Sequence, residues 1–84
     1  MVNLLRLPKT LEVAGVSRSA WYALIRAGLA PPPVALGIRT AAWPDSEIDA
    51  LNRARMAGLT NAELRELVKV LVEKRKVALR EVLT

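Results

Sequence analysis

Ser17-Arg18-Ser19-Ala20-Trp21-Tyr22-Ala23-Leu24-Ile25-Arg26 carries two patterns at once. Trp21, Leu24, Ile25 and, just beyond, Gly28 recur at helical spacing and mark one apolar face. Arg18, Tyr22 and Arg26 stand at i, i+4 and i+8 on another face, with Ser19 beside them. Ser17 is a good N-cap, because its hydroxyl accepts a hydrogen bond from an orphan amide of the first turn. A short helix with an apolar back and a basic, hydrogen-bonding front suits the DNA major groove. The same pattern also describes an amphipathic helix with two solvated arginines, so the flanking sequence has to decide.

Upstream, Pro8 suits the first turn of a helix, where its missing amide is not needed. Thr10, Leu11, Val13 and Ala14 give a short first helix closed by Gly15, which readily takes the left-handed conformation. Val16 plugs the space between the two helices. Helix, Gly-Val, Ser cap, helix is the order that a tight helix-turn-helix requires. Residues 1–7 read as extended or loosely ordered, with Leu4, Leu5 and Leu7 available to pack.

Downstream, Gly28 ends the second helix, and Pro31-Pro32-Pro33 favours an extended backbone. Two short strands are expected next, Val34 to Leu36 and Ala41 to Trp43, around a turn holding Gly37 with Arg39 at its tip. Directly after a helix-turn-helix, such a hairpin is a wing. An irregular proline-rich loop with a solvated arginine is the alternative, but apolar residues on both flanks favour the wing.

Pro44-Asp45-Ser46-Glu47 opens a third helix, with Asp45, Ser46 and Glu47 complementing its dipole. Ile48, Leu51 and Met56 supply its apolar side, Arg53 and Arg55 lie in its last turns, and Gly58 ends it. Thr60-Asn61-Ala62-Glu63 is a capping box. It starts a helix of about 23 residues, roughly 35 Å long, that reaches nearly to Thr84. Leu64, Leu67, Val68, Leu71 and Val72 form a stripe, and Ala78, Leu79, Val82 and Leu83 renew it beyond the polar Glu73-Lys74-Arg75-Lys76. Such a helix either packs on the domain core or pairs with its twin in a dimer. Self-association is favoured, because so small a domain gains much from added apolar surface.

The chain of 84 residues is expected to bury only about 60% of its unfolded surface, so its core is marginal. Trp21, Tyr22 and Trp43 are its aromatics, so aliphatic residues must fill most of that core. Thirteen basic against eight acidic residues give a net charge of +5, with an isoelectric point near 10.5. That balance fits a polyanionic partner, nucleic acid first and an anionic membrane surface second. The absence of Cys and His excludes disulfides, zinc fingers, redox chemistry and any imidazole base. Ser17, Ser19 and Tyr22 are potential nucleophiles with no clustered acid-base partner, so an enzyme is not expected. No secretory signal and no apolar run of about 20 residues is visible. The expectation is a cytoplasmic protein of a bacterial or phage-infected cell, with no cofactor, metal or small-molecule substrate.

Leu5-Arg6-Leu7-Pro8, Val16-Ser17-Arg18-Ser19, Tyr22, Leu24-Ile25, Gly28, Pro33, Val34, Leu36-Gly37, Arg39, Trp43 and Ser46-Glu47-Ile48 together resemble the AlpA family of prophage-type transcriptional regulators. The resemblance covers about residues 5–51. Where the family typically has isoleucine or leucine, this chain has Trp21. Where the family often has a basic residue, it has Ala23 and Pro32. These departures leave the fold expectation intact and weaken any phosphate contact assigned to those positions. The long helix from Thr60 onward lies outside the resemblance.

The resemblance implies a winged helix-turn-helix that binds specific duplex sites and regulates phage or mobile-element genes or excision. The expected fold is mainly α, with a short β-hairpin wing and a long C-terminal helix. It divides into a DNA-binding domain over residues 1–58 and an oligomerisation or packing helix over residues 59–84. The candidate DNA-binding residues are Lys9, Ser17, Arg18, Ser19, Tyr22, Arg26 and Arg39. Arg18 reaches a guanine edge or a phosphate. Ser19 and the amides of the turn that Ser17 caps hold a phosphate. Tyr22 meets a phosphate or a thymine methyl, and Arg26 the backbone. Arg39 enters the minor groove, which attracts arginine where it is narrow. Lys9 is a weaker phosphate ligand. Double-stranded DNA is therefore the expected partner, bound by a homodimer or higher oligomer. The rival readings are an excisionase (a recombination directionality factor), a small terminase subunit for DNA packaging, and a protein-interaction module.

Overall fold

The computed structural model describes residues 2–83, and Met1 and Thr84 lie outside it. Strand β1 (Leu4–Arg6) runs into helix α1 (Leu7–Ala14), followed by α2 (Arg18–Arg26), β2 (Val34–Gly37), β3 (Thr40–Pro44), α3 (Asp45–Met56) and α4 (Asn61–Leu83). The fold is mainly α with a small antiparallel sheet of order β1-β3-β2, a winged helix-turn-helix arrangement with an added long helix.

Helix ends follow local rules. Gly15 sits at φ 71°, and its amide and that of Val16 return to the Leu11 carbonyl at 2.9 and 3.3 Å. A residue bearing a Cβ is strained there, so glycine is what allows so short a turn. Ser17 then caps α2, its hydroxyl accepting from the Ala20 amide at 3.2 Å. Thr60 and Glu63 satisfy each other's amides at the start of α4: Glu63 accepts from the Thr60 amide at 2.9 Å, and Thr60 Oγ1 accepts from the Glu63 amide at 3.2 Å.

Residues 4–6 are more ordered than an extended or loose terminus. Leu5 pairs with Trp43 and Arg6 with Ala42 across β3. Leu5 is half-buried, while Leu4 and Arg6 point outward. Thr10, fully buried, donates from Oγ1 to the Leu5 carbonyl at 3.2 Å and locks α1 against β1. The Asp45 amide donates to the Asn3 carbonyl at 2.8 Å, and the Asp45 carboxylate accepts from the Asn3 amide at 3.1 Å. The turn between β2 and β3 is Ile38-Arg39. Gly37 closes β2 and pairs with Thr40 rather than lying in the turn, and a register shift lies between Ala35 and Gly37.

Trp21 of α2 and Trp43 of β3 are both fully buried and meet edge to face, with ring centroids 5.8 Å apart and planes at 74°. Ile48, Leu51 and Ala54 of α3 and Leu64 and Val68 of α4 complete the core. The Trp43 indole donates to the Pro31 carbonyl at 2.9 Å. The Trp21 indole N–H is buried with no partner among the described residues. Met56, expected on the apolar side of α3, is exposed.

Glu47 is buried beyond the role of a helix-start residue, because Arg75 reaches it from the polar stretch of α4. Arg75 Nε and Nη2 donate to the two carboxylate oxygens at 2.7 and 2.6 Å, and Nη2 also donates to the Pro32 carbonyl at 2.9 Å. Arg65 likewise donates to the Ala27 carbonyl at the end of α2, at 2.9 Å. Two arginines of α4 thus tie it to the end of α2 and to the segment entering β2.

Two outcomes are expected. Arg75→Met leaves Glu47 buried without its partner and costs about 2–3 kcal/mol, the low side for a broken buried pair because Arg75 is partly exposed. Arg75→Met/Glu47→Leu regains most of that loss in urea unfolding, whereas no recovery argues against the pair as the source. The second concerns Glu63, whose carboxyl is held below its ordinary value of 4.5 chiefly by the hydrogen bond from the Thr60 amide. A lowered folded value gives stability that is present above 4.5 and lost as pH falls through the folded value. The stability gap between the native chain and Glu63→Ala, followed by thermal melts, should therefore narrow on acidification below 4.5.

Candidate nucleic-acid interface

Strand β1, helix α2 and the β2–β3 turn each contribute an arginine to one cleft. Arg18 opens α2 and is exposed, and Tyr22, one turn later, is half-buried. Arg39 sits in the Ile38-Arg39 turn with Ile38 fully exposed beside it. Arg18, Tyr22 and Arg39 converge on one cleft of about 170 Å³, also lined by Arg6, Leu7, Pro8, Thr40 and Ala41. Three arginines and no acid line it. Their guanidinium groups make no hydrogen bond or ion pair among the described residues. Unpaired guanidinium groups around a shallow hollow form an anion-seeking surface.

The remaining candidates are placed differently. Ser17 and Ser19 stand at the N-terminus of α2, their hydroxyls 3.5 Å apart. Ser17 already accepts the capping bond, so Ser19 is the freer hydroxyl. Arg26 lies two turns beyond Arg18, exposed and outside the cleft. Lys9, on α1, is also outside it and pairs with Glu12 at 3.5 Å across the exposed surface. Such a pair is weak enough to exchange for a phosphate.

Arg6 is the cleft residue that the sequence pattern did not single out. Its signal was the Leu5-Arg6-Leu7 alternation, which sends Arg6 outward once Leu5 packs inward. Three residues are too few for that alternation to stand out from a loose terminus.

Two comparisons bear on this face. The model of the family described as prophage CP4-57 regulatory protein (AlpA) matches residues 3–56. The chain belongs to the AlpA family of prophage regulatory proteins. A protein named uncharacterized protein ORF88, from Enterobacteria phage P4, is 46% identical over 54 residues, covering 64% of this chain and 61% of that protein. The chain thus spans less than two thirds of the curated relative it matches. No solved structure matches the chain. The AlpA match contains β1, α1, α2, the wing and all of α3, and hence every residue of the cleft, while α4 lies beyond it. Among the described residues no helix is long and apolar enough to cross a membrane, and no group of His, Cys, Asp or Glu is placed to hold a metal ion.

Proposed function

We propose that this AlpA family protein is a sequence-specific duplex DNA-binding regulator of a phage or mobile element. Helix α2 enters the major groove and the β2–β3 wing lies on the adjacent minor groove or backbone. The observation that carries this reading is the convergence of Arg18 and Tyr22 from α2 with Arg39 from the wing tip on one cleft with no acid in its lining. A helix and a hairpin offset from each other match two neighbouring grooves, and Ser17 fixes the direction in which α2 presents its first turn. Arg18, at the start of α2, is the base reader. Ser19, Tyr22, Arg26 and Lys9 are phosphate or methyl contacts, and Arg39 is the clamp. A transcriptional role and an excisionase role use the same surface. Transcription is preferred because the matching family is described as regulatory.

Binding of Arg18→Ala and Arg39→Ala to preferred and scrambled duplexes across a salt series tests this assignment. Arg18→Ala should lose about 1–3 kcal/mol at the preferred site and blur the preference at one base pair. Arg39→Ala should make the log–log salt slope shallower by up to about 0.9. If neither change alters affinity for the preferred site, the docking is wrong. If Arg39→Ala alone relaxes the preference, reader and clamp are reversed.

We also propose that the protein acts as a homodimer through α4. Leu79, Val82 and Leu83 stay exposed at 58%, 83% and 74% on the face that carries Arg75 inward. Burying that apolar edge against a second copy would join two half-site readers. Sedimentation of the full chain should give a dimer mass that Leu79→Glu/Val82→Glu reduces to the monomer. A monomeric native chain at micromolar concentration would refute the proposal.

A further inference from the structure

We infer that the cleft beside α2 is a seat for a single backbone phosphodiester of duplex DNA, held jointly by Arg6 and Arg39. This rests on the duplex-binding reading above and adds to it an anchor from the N-terminal strand. Arg6 and Arg39 come from opposite ends of the chain's first half, yet both line one hollow of about 170 Å³. An anionic group of phosphate size fits that hollow, and its charged lining favours an anion over a neutral base. Guanidinium is the side-chain group that grips two phosphate oxygens in one plane. The hollow has no acid in its lining, and the first turn of α1, which supplies Leu7 and Pro8, has none either. Among the described residues, no acid pairs with the arginines there.

The backbone beneath each guanidinium is held before any ligand arrives. Arg6 is fixed by pairing with Ala42 of β3, and its neighbour Leu5 by the bond from Thr10. Arg39 sits in a two-residue turn closed by the pairing of Gly37 with Thr40. Because β3 lies between β1 and β2, one strand joins both supports. Holding the stems in advance lowers the ordering cost of capturing the anion. Tyr22 and Thr40, also in the lining, add hydroxyl donors. A phosphate seated there fixes the height of α2 over the groove and leaves Arg18, on the helix side of the hollow, to the base edges.

The test is a double-mutant cycle on duplex binding, with Arg6→Ala, Arg39→Ala and both together across a salt series. Arg6→Ala is expected to weaken binding about tenfold on preferred and scrambled duplexes alike, the loss of one charge-assisted contact. The double variant should lose about 0.9 of salt slope in total, as for one phosphate. Two separate phosphates would cost about 1.8, and that result would overturn the shared seat. Arg6→Lys should keep the slope while losing part of the affinity, which a merely structural role for Arg6 would not produce. Where Arg6→Ala lowers the melting temperature, Arg6→Gln replaces it in the cycle. A free-phosphate site is separated by titrating inorganic phosphate into the native chain and following the arginine Nε–H resonances by NMR. Saturation by millimolar phosphate, together with unchanged duplex binding by Arg6→Ala, would refute the duplex assignment. A native chain that binds no duplex would instead refute the functional reading on which the seat rests.

Discussion

The edge-to-face packing of Trp21 on Trp43 is the contact on which the rest of the structure depends. It joins the helix that carries Arg18 to the strand that leads out of the wing, and so sets their relative placement. An indole buries roughly 150–250 Å² and dominates the energetics of a core this small. Trp43 is further pinned by its bond to Pro31, which directs the proline segment toward β2. Trp21 has no such bond among the described residues, so packing of its ring faces holds it in place.

The two arginines of α4 act on the same geometry from the opposite side. Arg65 holds the Ala27 carbonyl at the C-terminal end of α2, where a cation also suits the dipole. Arg75 binds Glu47 at the start of α3 and Pro32 at the approach to β2. The end of α2 and the segment entering the hairpin are each bonded to one long helix, which limits how far they can rock relative to each other. The pair costs desolvation, and what it secures is direction: both carboxylate oxygens and a carbonyl are met by one planar group.

The helix ends were legible in the sequence because each rests on neighbours a few residues apart: Ser17 with Ala20, Gly15 with Leu11, Thr60 with Glu63. The apolar spacing of Trp21, Leu64 and Val68 likewise placed them inward. What stayed hidden depends on partners far along the chain. Residues 4–6 form a strand only because β3 offers an edge, and nothing in three residues announces it. Glu47 looks like any helix-start acid until Arg75, 28 residues on, closes over it. Gly37 reads as a turn residue by type, yet the two-residue turn falls one step later. For the candidate site, Arg18, Tyr22 and Arg39 were legible from helix register and from the turn. Arg6 was not, because its place on that face follows from the strand pairing.

Both ties from α4 originate beyond the stretch matched by the family model, which ends at residue 56. The segment that presents the side chains and the segment that braces the end of α2 and the approach to the hairpin are therefore separable in the sequence. A chain with the same residues 3–56 and a different tail would keep the same chemistry in its cleft. It would keep the Trp21–Trp43 contact and lose both outer ties, as a calliper keeps its hinge when its locking screw is removed. In such a chain, the chemistry of the cleft and the stiffness with which α2 and the hairpin are held can vary independently.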